Sequence, residues 1–562
     1  MPKYLPLGAN DFADARTTPG ATVVDKTAFI GRVLRSPARA LVICRPRRFG
    51  KTMNITMLRD FLRTAMPGRP AAPDALFAGM AAHADPLAMA ERAQHPVVYL
   101  SLKGVKSMTW PDALETIGQL MAATLRECGI DRSRAEDAEA LLLEAVAKAQ
   151  ASPAVLALSL KALTSALQAQ TGRQVWLLID EYDAPIQTAW QYGYYPEAVA
   201  FFRTFFGEAA KDNPSVARTV MTGVMRVAKE GILSDLNNLQ VDTVLEDEFA
   251  TDFGFTEAEV DKLANDDPAL RDGMRQWYNG YTIGGHAIYN PWSVAETLTK
   301  PRSPLQARWI ATGGTDLLER LASQSPPSFH ADLERWLMGE VVDHRVVQGV
   351  ALADVERHGH LLPTMLLHAG YLTAQAVRFE RGHAIAALRT PNEEVRTALE
   401  GLYQGWLADF GRGGFDPRRL CAALLSGDEE TVQRMLGGVV RGLLSYHDLA
   451  DKTPERIYHV FVLGVLSQVP PGYRIESNRE YGSGRPDVVL IPGSADQPGA
   501  VIEFKAAKRG TDEADAELAC DAAEAQIRVK RYREAGVGSP VLGWAVGFAG
   551  KEVVVRLLAA VG

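Results

Sequence analysis

The sequence predicts an α/β protein: a parallel sheet wound with helices, then a helical middle region, then a second, smaller α/β region at the C-terminal end. Three observations carry this. Short apolar runs rich in β-branched residues, ALVIC at 40–44, VVYLSL at 97–102, VWLLI at 175–179 and VARTVMTGV at 216–224, alternate with helical stretches, as the buried strands of a parallel sheet do. After about residue 250 the pattern changes to helices. From about residue 452 it changes again, to the order α-β-β-β-α-β-β.

Taken in order, the strand at 40–44 leads into a helix that places Leu58, Phe61, Leu62 and Ala65 at i, i+3, i+4 and i+7. Breakers at Pro301-Arg302-Ser303-Pro304 and Ser323-Gln324-Ser325-Pro326-Pro327 mark loops between domains. Residues 330–450 read as helical apart from one hairpin near Gly370–Leu388. The last region reads as a helix at Glu455–Ser467, strands at Tyr473–Arg479 and Asp487–Ile491, and a Gly/Pro turn from Gly493 to Gly499. A strand at Val501–Lys505, a long helix at Asp512–Ala535, and the strands VLGWAVGF and EVVVRLL complete it. The expected domains are 1–245, 246–330 as a helical lid, 331–450 as a helical middle, and 451–562. No internal repeat interrupts this series.

Composition agrees. A chain of 562 residues exceeds one core, so two to four domains of roughly 100–200 residues are expected. Its 47% hydrophobic and 23% charged residues are ordinary globular usage. Cys44, Cys128, Cys421 and Cys520 lie far apart without a CxxC pair, which excludes a zinc ribbon and gives no disulfide framework. The stretch MPKYLPLGANDF lacks the basic-then-apolar order of a signal peptide, and no apolar run approaches the ~20 residues that cross a bilayer. The expected compartment is the cytoplasm, with no membrane partner. A net charge of −8 excludes a wholesale nucleic-acid coat but not a local basic groove. Arg528, Lys530, Arg531 and Arg533, with Lys508 and Arg509, form one basic cluster, which reads equally as a solvated helix face; Arg45, Arg47, Arg48 and Lys51 form another.

The second cluster carries chemistry. Positions 45–52 read R-P-R-R-F-G-K-T between a strand and a helix. In a P-loop, backbone N–H groups and the helix N-terminus cradle the phosphates of ATP, a role for Arg48, Phe49 and Gly50. Lys51 would reach the β- and γ-phosphates, and Thr52 would hold Mg²⁺. The usual motif has Gly where this chain has Arg45, which implies a modified start to the loop. V-W-L-L-I-D-E-Y-D at 175–183 then has the form of a Walker B strand. Asp180 would hold Mg²⁺ through water, and Glu181 would polarise the attacking water. A third strand ends in T-G-V-M-R, offering Thr222 as a γ-phosphate sensor and Arg226 as a charge-stabilising finger.

At these residues the chain resembles the AAA-ATPase-like proteins that end in a PD-(D/E)xK nuclease-superfamily domain. The resemblance runs through L-P-L-G-A-N-D-F, V-D-K-T-A-F-I, R-P-R-R-F-G-K-T, I-D-E-Y-D, T-G-V-M-R, W-Y-N-G-Y, Y-N-P-W-S-V, A-G-Y-L-T and P-N-E-E-V. The family's own loop reads R-P-R-R-F-G-K-[ST], so Arg45 looks like a family trait. The fold this implies is a P-loop AAA-like ATPase with a helical middle and a restriction-endonuclease-like α/β domain.

The nuclease letters are Pro486-Asp487 and Glu503-x-Lys505. Phosphodiester hydrolysis needs a divalent cation, and Mg²⁺ takes one or two carboxylates plus water and substrate oxygens. Asp487 and Glu503 would supply them, with Lys505 orienting water or meeting charge on the phosphate. Residues two apart on a strand share a face, so Glu503 and Lys505 point together, and the Gly/Pro turn brings Asp487 back beside them. Such charges also recur as plain cross-strand ion pairs. Gln526 and Tyr532 resemble the superfamily's Q-x5-Y arrangement, and Tyr458, His459 and Glu480 match family positions. His358, His360 and His368 lack a metal-ligand pattern, and the tryptophans of W-Y-N-G-Y and N-P-W-S-V read as core anchors. The function expected is Mg²⁺-dependent cleavage of nucleic acid, DNA in preference to RNA, gated by ATP. A homo-oligomer is an option, because a finger arginine often comes from a neighbouring subunit. The alternative is an ATP-driven signalling or assembly switch whose terminal domain binds nucleic acid or a partner without cutting.

Overall fold

The four apolar runs form strands β1 (Ala40–Cys44), β2 (Val97–Ser101), β3 (Val175–Asp180) and β4 (Val216–Gly223). With β5 (Leu239–Asp242) they make one parallel sheet, order β2-β3-β4-β1-β5. The structure is a computed structural model describing residues 5–6, 9, 11–66, 69–131, 137–226, 239–264, 267–300, 303–309, 327–337, 339–347, 349, 354, 361–410, 416–444, 472–477, 486–494, 496–507, 512–530, 540–550 and 552–558. Every residue of β1 and β3 is buried, which is why those runs read as continuously apolar. Helices Trp110–Glu127, Pro153–Thr171 and Tyr195–Ala210 supply Ile117, Met121, Leu160, Leu163, Phe202 and Phe205 to a core shared with Val98, Leu177 and Ile179. The sheet's C-terminal strand ends carry the loops that hold the candidate nucleotide site, the usual place for ligands in an open α/β sheet.

The chain divides into two units, residues 1–321 with 336–398, and 322–335 with 399–562. Beyond the parallel sheet, the first unit holds two small antiparallel sheets. One joins β6 (Phe255–Thr256), β7 (Tyr281–Ile283) and β8 (His286–Tyr289) in the order β6-β8-β7. The other joins β9 (Val342–Val346), β10 (Thr373–Glu380) and β11 (His383–Arg389) in the order β10-β11-β9. The β10–β11 pair is the hairpin expected near Gly370–Leu388. Strands β6 to β9 were not expected in a region read as helical. They span two to five residues each, too short for an alternating pattern to emerge from the helices around them.

The second unit holds β12 (Tyr473–Ser477), β13 (Val488–Pro492), β14 (Gly499–Ala506), β15 (Val541–Ala549) and β16 (Glu552–Leu558), paired in sequence order. Only β14–β15 is parallel, and the helix Glu513–Lys530 makes that crossover, as a parallel pair requires. The helix buries Cys520, Ala523 and Ile527 against Val489, Val501 and Ala545. Two further helices, Pro417–Ser426 and Glu429–Leu444, are tied on by hydrogen bonds. The Trp544 indole donates to the Leu424 carbonyl at 3.1 Å, and the Gln433 side-chain Oε1 accepts from Val555 N at 2.6 Å. The helix expected at Glu455–Ser467 lies outside the described residues, as do His459, Glu480 and Tyr532. Among the described residues no helix is long and apolar enough to cross a membrane.

Candidate functional site

The phosphate loop leaves β1 at Arg45 and closes at Gly50, which caps the helix Lys51–Leu62 with φ of 83°. The left-handed positions of this loop are Arg48, at φ 67°, and Gly50. Arg45 is not one of them, so glycine's freedom is not required there. Its guanidinium is fully buried, paired with the Asp242 carboxylate at the end of β5, and donates to the carbonyls of Cys44 at 2.9 Å and Thr243 at 2.8 Å. The chain thus fixes the start of the loop with a buried ion pair where other P-loops use a flexible residue.

Lys51 is buried, and its ammonium donates to the carbonyls of Arg45 at 3.0 Å and Pro46 at 2.9 Å. Burial pulls its pKa down, while Glu181, Asp183 and Asp180 pull it up. Thr52 Oγ1 donates to Asp180 Oδ2 at 2.7 Å, and Thr222 Oγ1 donates to Asp180 Oδ1 at 2.5 Å. The expected pair Thr52–Asp180 is therefore in contact, and Thr222 is bound to the same carboxylate. Hydroxyl and carboxylate at the C-terminal edge of β3 suit a Mg²⁺ held partly through water. Glu181 follows in a left-handed conformation, φ 52°, and burial raises its pKa against the pull of Lys51.

Two positions of I-D-E-Y-D have roles the sequence reading did not assign. Asp183 Oδ2 accepts from the backbone N–H groups of Val224 and Met225, both at 3.0 Å, and Tyr182 Oη donates to the Met225 carbonyl at 2.7 Å. They fasten T-G-V-M-R to the Walker B segment. A cavity of about 810 Å³ opens over these groups, lined among others by Gly50, Lys51, Thr52, Glu181, Lys103 and Lys106, a volume typical of small-molecule sites. Arg226 is not among its lining residues.

The loop is also contacted by the motifs from beyond residue 250, and Trp292, Trp309 and Tyr371 line the same cavity. Pro46 faces Gly370 of A-G-Y-L-T. The Trp309 indole donates to the Arg47 carbonyl at 3.2 Å, the Arg48 guanidinium lies 3.6 Å over the Trp292 ring, and Phe49 meets Tyr281 edge-on at 4.9 Å. Trp292, read as a core anchor between the ATPase and the helical region, is half-buried and is the platform for a loop arginine, a contact whose partners lie 244 positions apart in the sequence. These motifs also bind one another. Ser293 of N-P-W-S-V donates to Glu394 of P-N-E-E-V at 2.8 Å, and Asn392 donates to the Asn279 carbonyl of W-Y-N-G-Y at 2.7 Å.

In the second unit, β13 pairs with β14 as Val488↔Ile502 and Val489↔Val501, a register that sets Asp487 opposite Glu503. Asp487 Oδ2 accepts from Phe504 N at 2.7 Å, and Lys505 Nζ lies 3.0 Å from Glu503 Oε1. The three expected residues thus share one place. Phe504 is buried on the other face, stacked against Phe548, as alternation requires. Glu503 is almost completely buried. Burial first, and then the negative charge of Asp487, push its pKa up to about 7, against the pull of Lys505. A buried carboxylate whose proton affinity a second one raises forms with it a donor pair that a divalent cation would relieve. Among the described residues no group of three or more His, Cys, Asp or Glu could hold a metal, so the pair fits an ion that keeps most of its ligands as water or substrate.

Comparison with known proteins agrees with this division. The chain is 27% identical over 402 residues to an uncharacterised protein in the vnfD 5′ region of Azotobacter chroococcum mcd 1, covering 71% of this chain and 69% of that one. Residues 6–233 match a family described as predicted AAA-ATPase, and residues 453–556 match the PD-(D/E)XK nuclease superfamily. The N-terminal region is thus similar to the predicted AAA-ATPases and the C-terminal one to the PD-(D/E)XK nuclease superfamily.

Proposed function

We propose that this chain is a Mg²⁺-dependent nuclease for nucleic acid, DNA in preference to RNA, that ATP binding and hydrolysis control. The observation that carries the reading is the placement of Asp487 and Glu503 on adjoining strands with Lys505 beside them. A divalent cation between the carboxylates would lower the pKa of water and offset charge on the scissile phosphate. Asp487 and Glu503 would hold it, and Lys505, released from Glu503, would orient the attacking water or meet the phosphate charge. In the first unit, Lys51 would exchange its loop carbonyls for the β- and γ-phosphates. Thr52 and Asp180 would hold the accompanying Mg²⁺, and Glu181 would take a proton from water.

The test is cleavage of single- and double-stranded DNA and RNA with and without Mg²⁺. Glu503→Gln or Asp487→Asn should lower the rate by at least about a hundredfold, since each removes a ligand charge. In wild type the rate should rise between pH 6 and 8, because Glu503 binds metal only when ionised and its pKa is raised to about 7. Cleavage that survives both substitutions would reject the assignment.

A further inference from the structure

The candidate nucleotide cavity contains more positive charge than its phosphate loop supplies. Strand β2 ends at Ser101 and runs into L-K-G-V-K at 102–106. Leu102 N donates to the Asp180 carbonyl at 3.0 Å, which fastens the start of this turn to the Walker B residue. Val105 N donates to the Leu102 carbonyl at 3.0 Å, and the side chains of Leu102 and Val105 are buried in the core. Tyr194 Oη donates to the Ser107 carbonyl at 2.6 Å and fixes the far end. A turn plugged by two apolar residues and tied at both ends leaves Lys103 and Lys106 directed away from the core. Both line the same cavity as Lys51, Thr52 and Glu181.

Both lysines are exposed, and among the described residues neither forms an ion pair. The charge of Lys103 acts on Glu181, favouring its ionised form. The residue that the sequence offered as a finger, Arg226, does not line the cavity, and the hydroxyl offered as a sensor, Thr222, is bound to Asp180. Exposed ammonium groups on a turn fastened at both ends, lining one cavity with the carboxylate expected to activate water, are placed to meet the outer end of a bound triphosphate.

We infer that Lys103, supported by Lys106, is a catalytic residue for ATP hydrolysis that contacts the γ-phosphoryl group from within the same chain. The inference rests on the nucleotide reading above. In the step, water oxygen forms a bond to Pγ as the bond from Pγ to the β–γ bridging oxygen breaks. The electron pair of that bond leaves with ADP, and the water proton passes to Glu181. Lys103 keeps its proton throughout and offsets the negative charge on the γ-phosphoryl oxygens. A flexible point charge suits this task better than a structural one, because it can follow those oxygens as they move. Since the charge comes from the same chain, hydrolysis does not require a neighbouring subunit to complete the site.

The experiment measures ATP hydrolysis and, separately, ADP affinity by calorimetry, on the full-length wild type and on Lys103→Ala, Lys106→Ala, the double variant, Lys103→Arg and Lys51→Ala. Lys103→Ala should lower kcat at least about tenfold, a modest share of what a transition-state cation contributes, with ADP affinity held within about twofold of wild type because ADP lacks the γ-phosphate. Lys103→Arg should recover most of the rate, and wild-type specific activity should not change across a hundredfold range of protein concentration. If the double variant keeps wild-type kcat while Lys51→Ala loses ADP, the nucleotide reading stands and the role of Lys103 is rejected. If wild type binds no ADP, the nucleotide reading itself falls, and this inference with it.

Discussion

Arg45 shows what one residue can do to a motif. The usual glycine serves where backbone must adopt positive φ or approach a ligand closely, yet the left-handed positions here are Arg48 and Gly50. Restoring the consensus with Arg45→Gly should therefore harm the protein. It would leave the buried Asp242 carboxylate without its partner, and breaking a buried pair from one side costs about 3–5 kcal/mol. Urea denaturation should show that loss; a change below about 1 kcal/mol would mean the pair is dispensable. Lys51, Thr52, Asp180, Asp487, Glu503 and Lys505 were legible because each motif holds its residues within one strand–turn–helix or one strand pair. The partner of Arg45 was not, because it lies 197 positions away. Lys103 and Lys106 were not singled out for a related reason: nothing in L-K-G-V-K separates them from solvated surface lysines until the fold lines one cavity with them and Glu181.

At the scale of elements, the apolar runs of β1 and β3 announced themselves, since every residue of each is buried and a strand buried on both faces reads as continuously apolar. The last region was equally legible, strand by strand, because Gly/Pro turns and a crossover helix punctuate it. Strands β6 to β9 gave no comparable signal; β8, for example, runs from two exposed residues to two buried ones. Yet these small sheets and their helices carry the residues that grip the phosphate loop. Gly370 ends the helix Leu362–Ala369 at φ 89°, and a Cβ there would lie 2.8 Å from the Pro46 side chain. Gly370→Ala should thus impose a left-handed cost of about 1–2 kcal/mol and also press on the loop. Gly285, at φ 83° with nothing within 4 Å of an added Cβ, isolates the first effect. Gly370→Ala should weaken ADP binding about tenfold, equivalent to ~1.4 kcal/mol, whereas Gly285→Ala should not. Equal ADP affinities in the two variants would show that the Pro46–Gly370 contact does not set the loop's geometry.

For the whole molecule, the central claim is control of one activity by the other. An ungated nuclease would cut the nucleic acid of the cell that makes it, and the proposed gate would act through the phosphate loop. Arg47 to Thr52 line the cavity, and Pro46, Arg47, Arg48 and Phe49 also contact elements from beyond residue 250. Movement of Lys51 onto phosphate would release its two loop carbonyls and so be felt by those contacts. ATP can shift a two-state equilibrium only by its differential affinity for the two states, and a hundredfold change in active population needs roughly 2.7 kcal/mol of such preference. The most direct measurement compares nucleic-acid cleavage by wild type and Lys51→Ala at saturating Mg²⁺, each with and without ATP. Gating predicts that ATP changes the wild-type rate by at least about tenfold and leaves the Lys51→Ala rate unmoved. Four rates agreeing within about twofold, a difference of only ~0.4 kcal/mol, would contradict it.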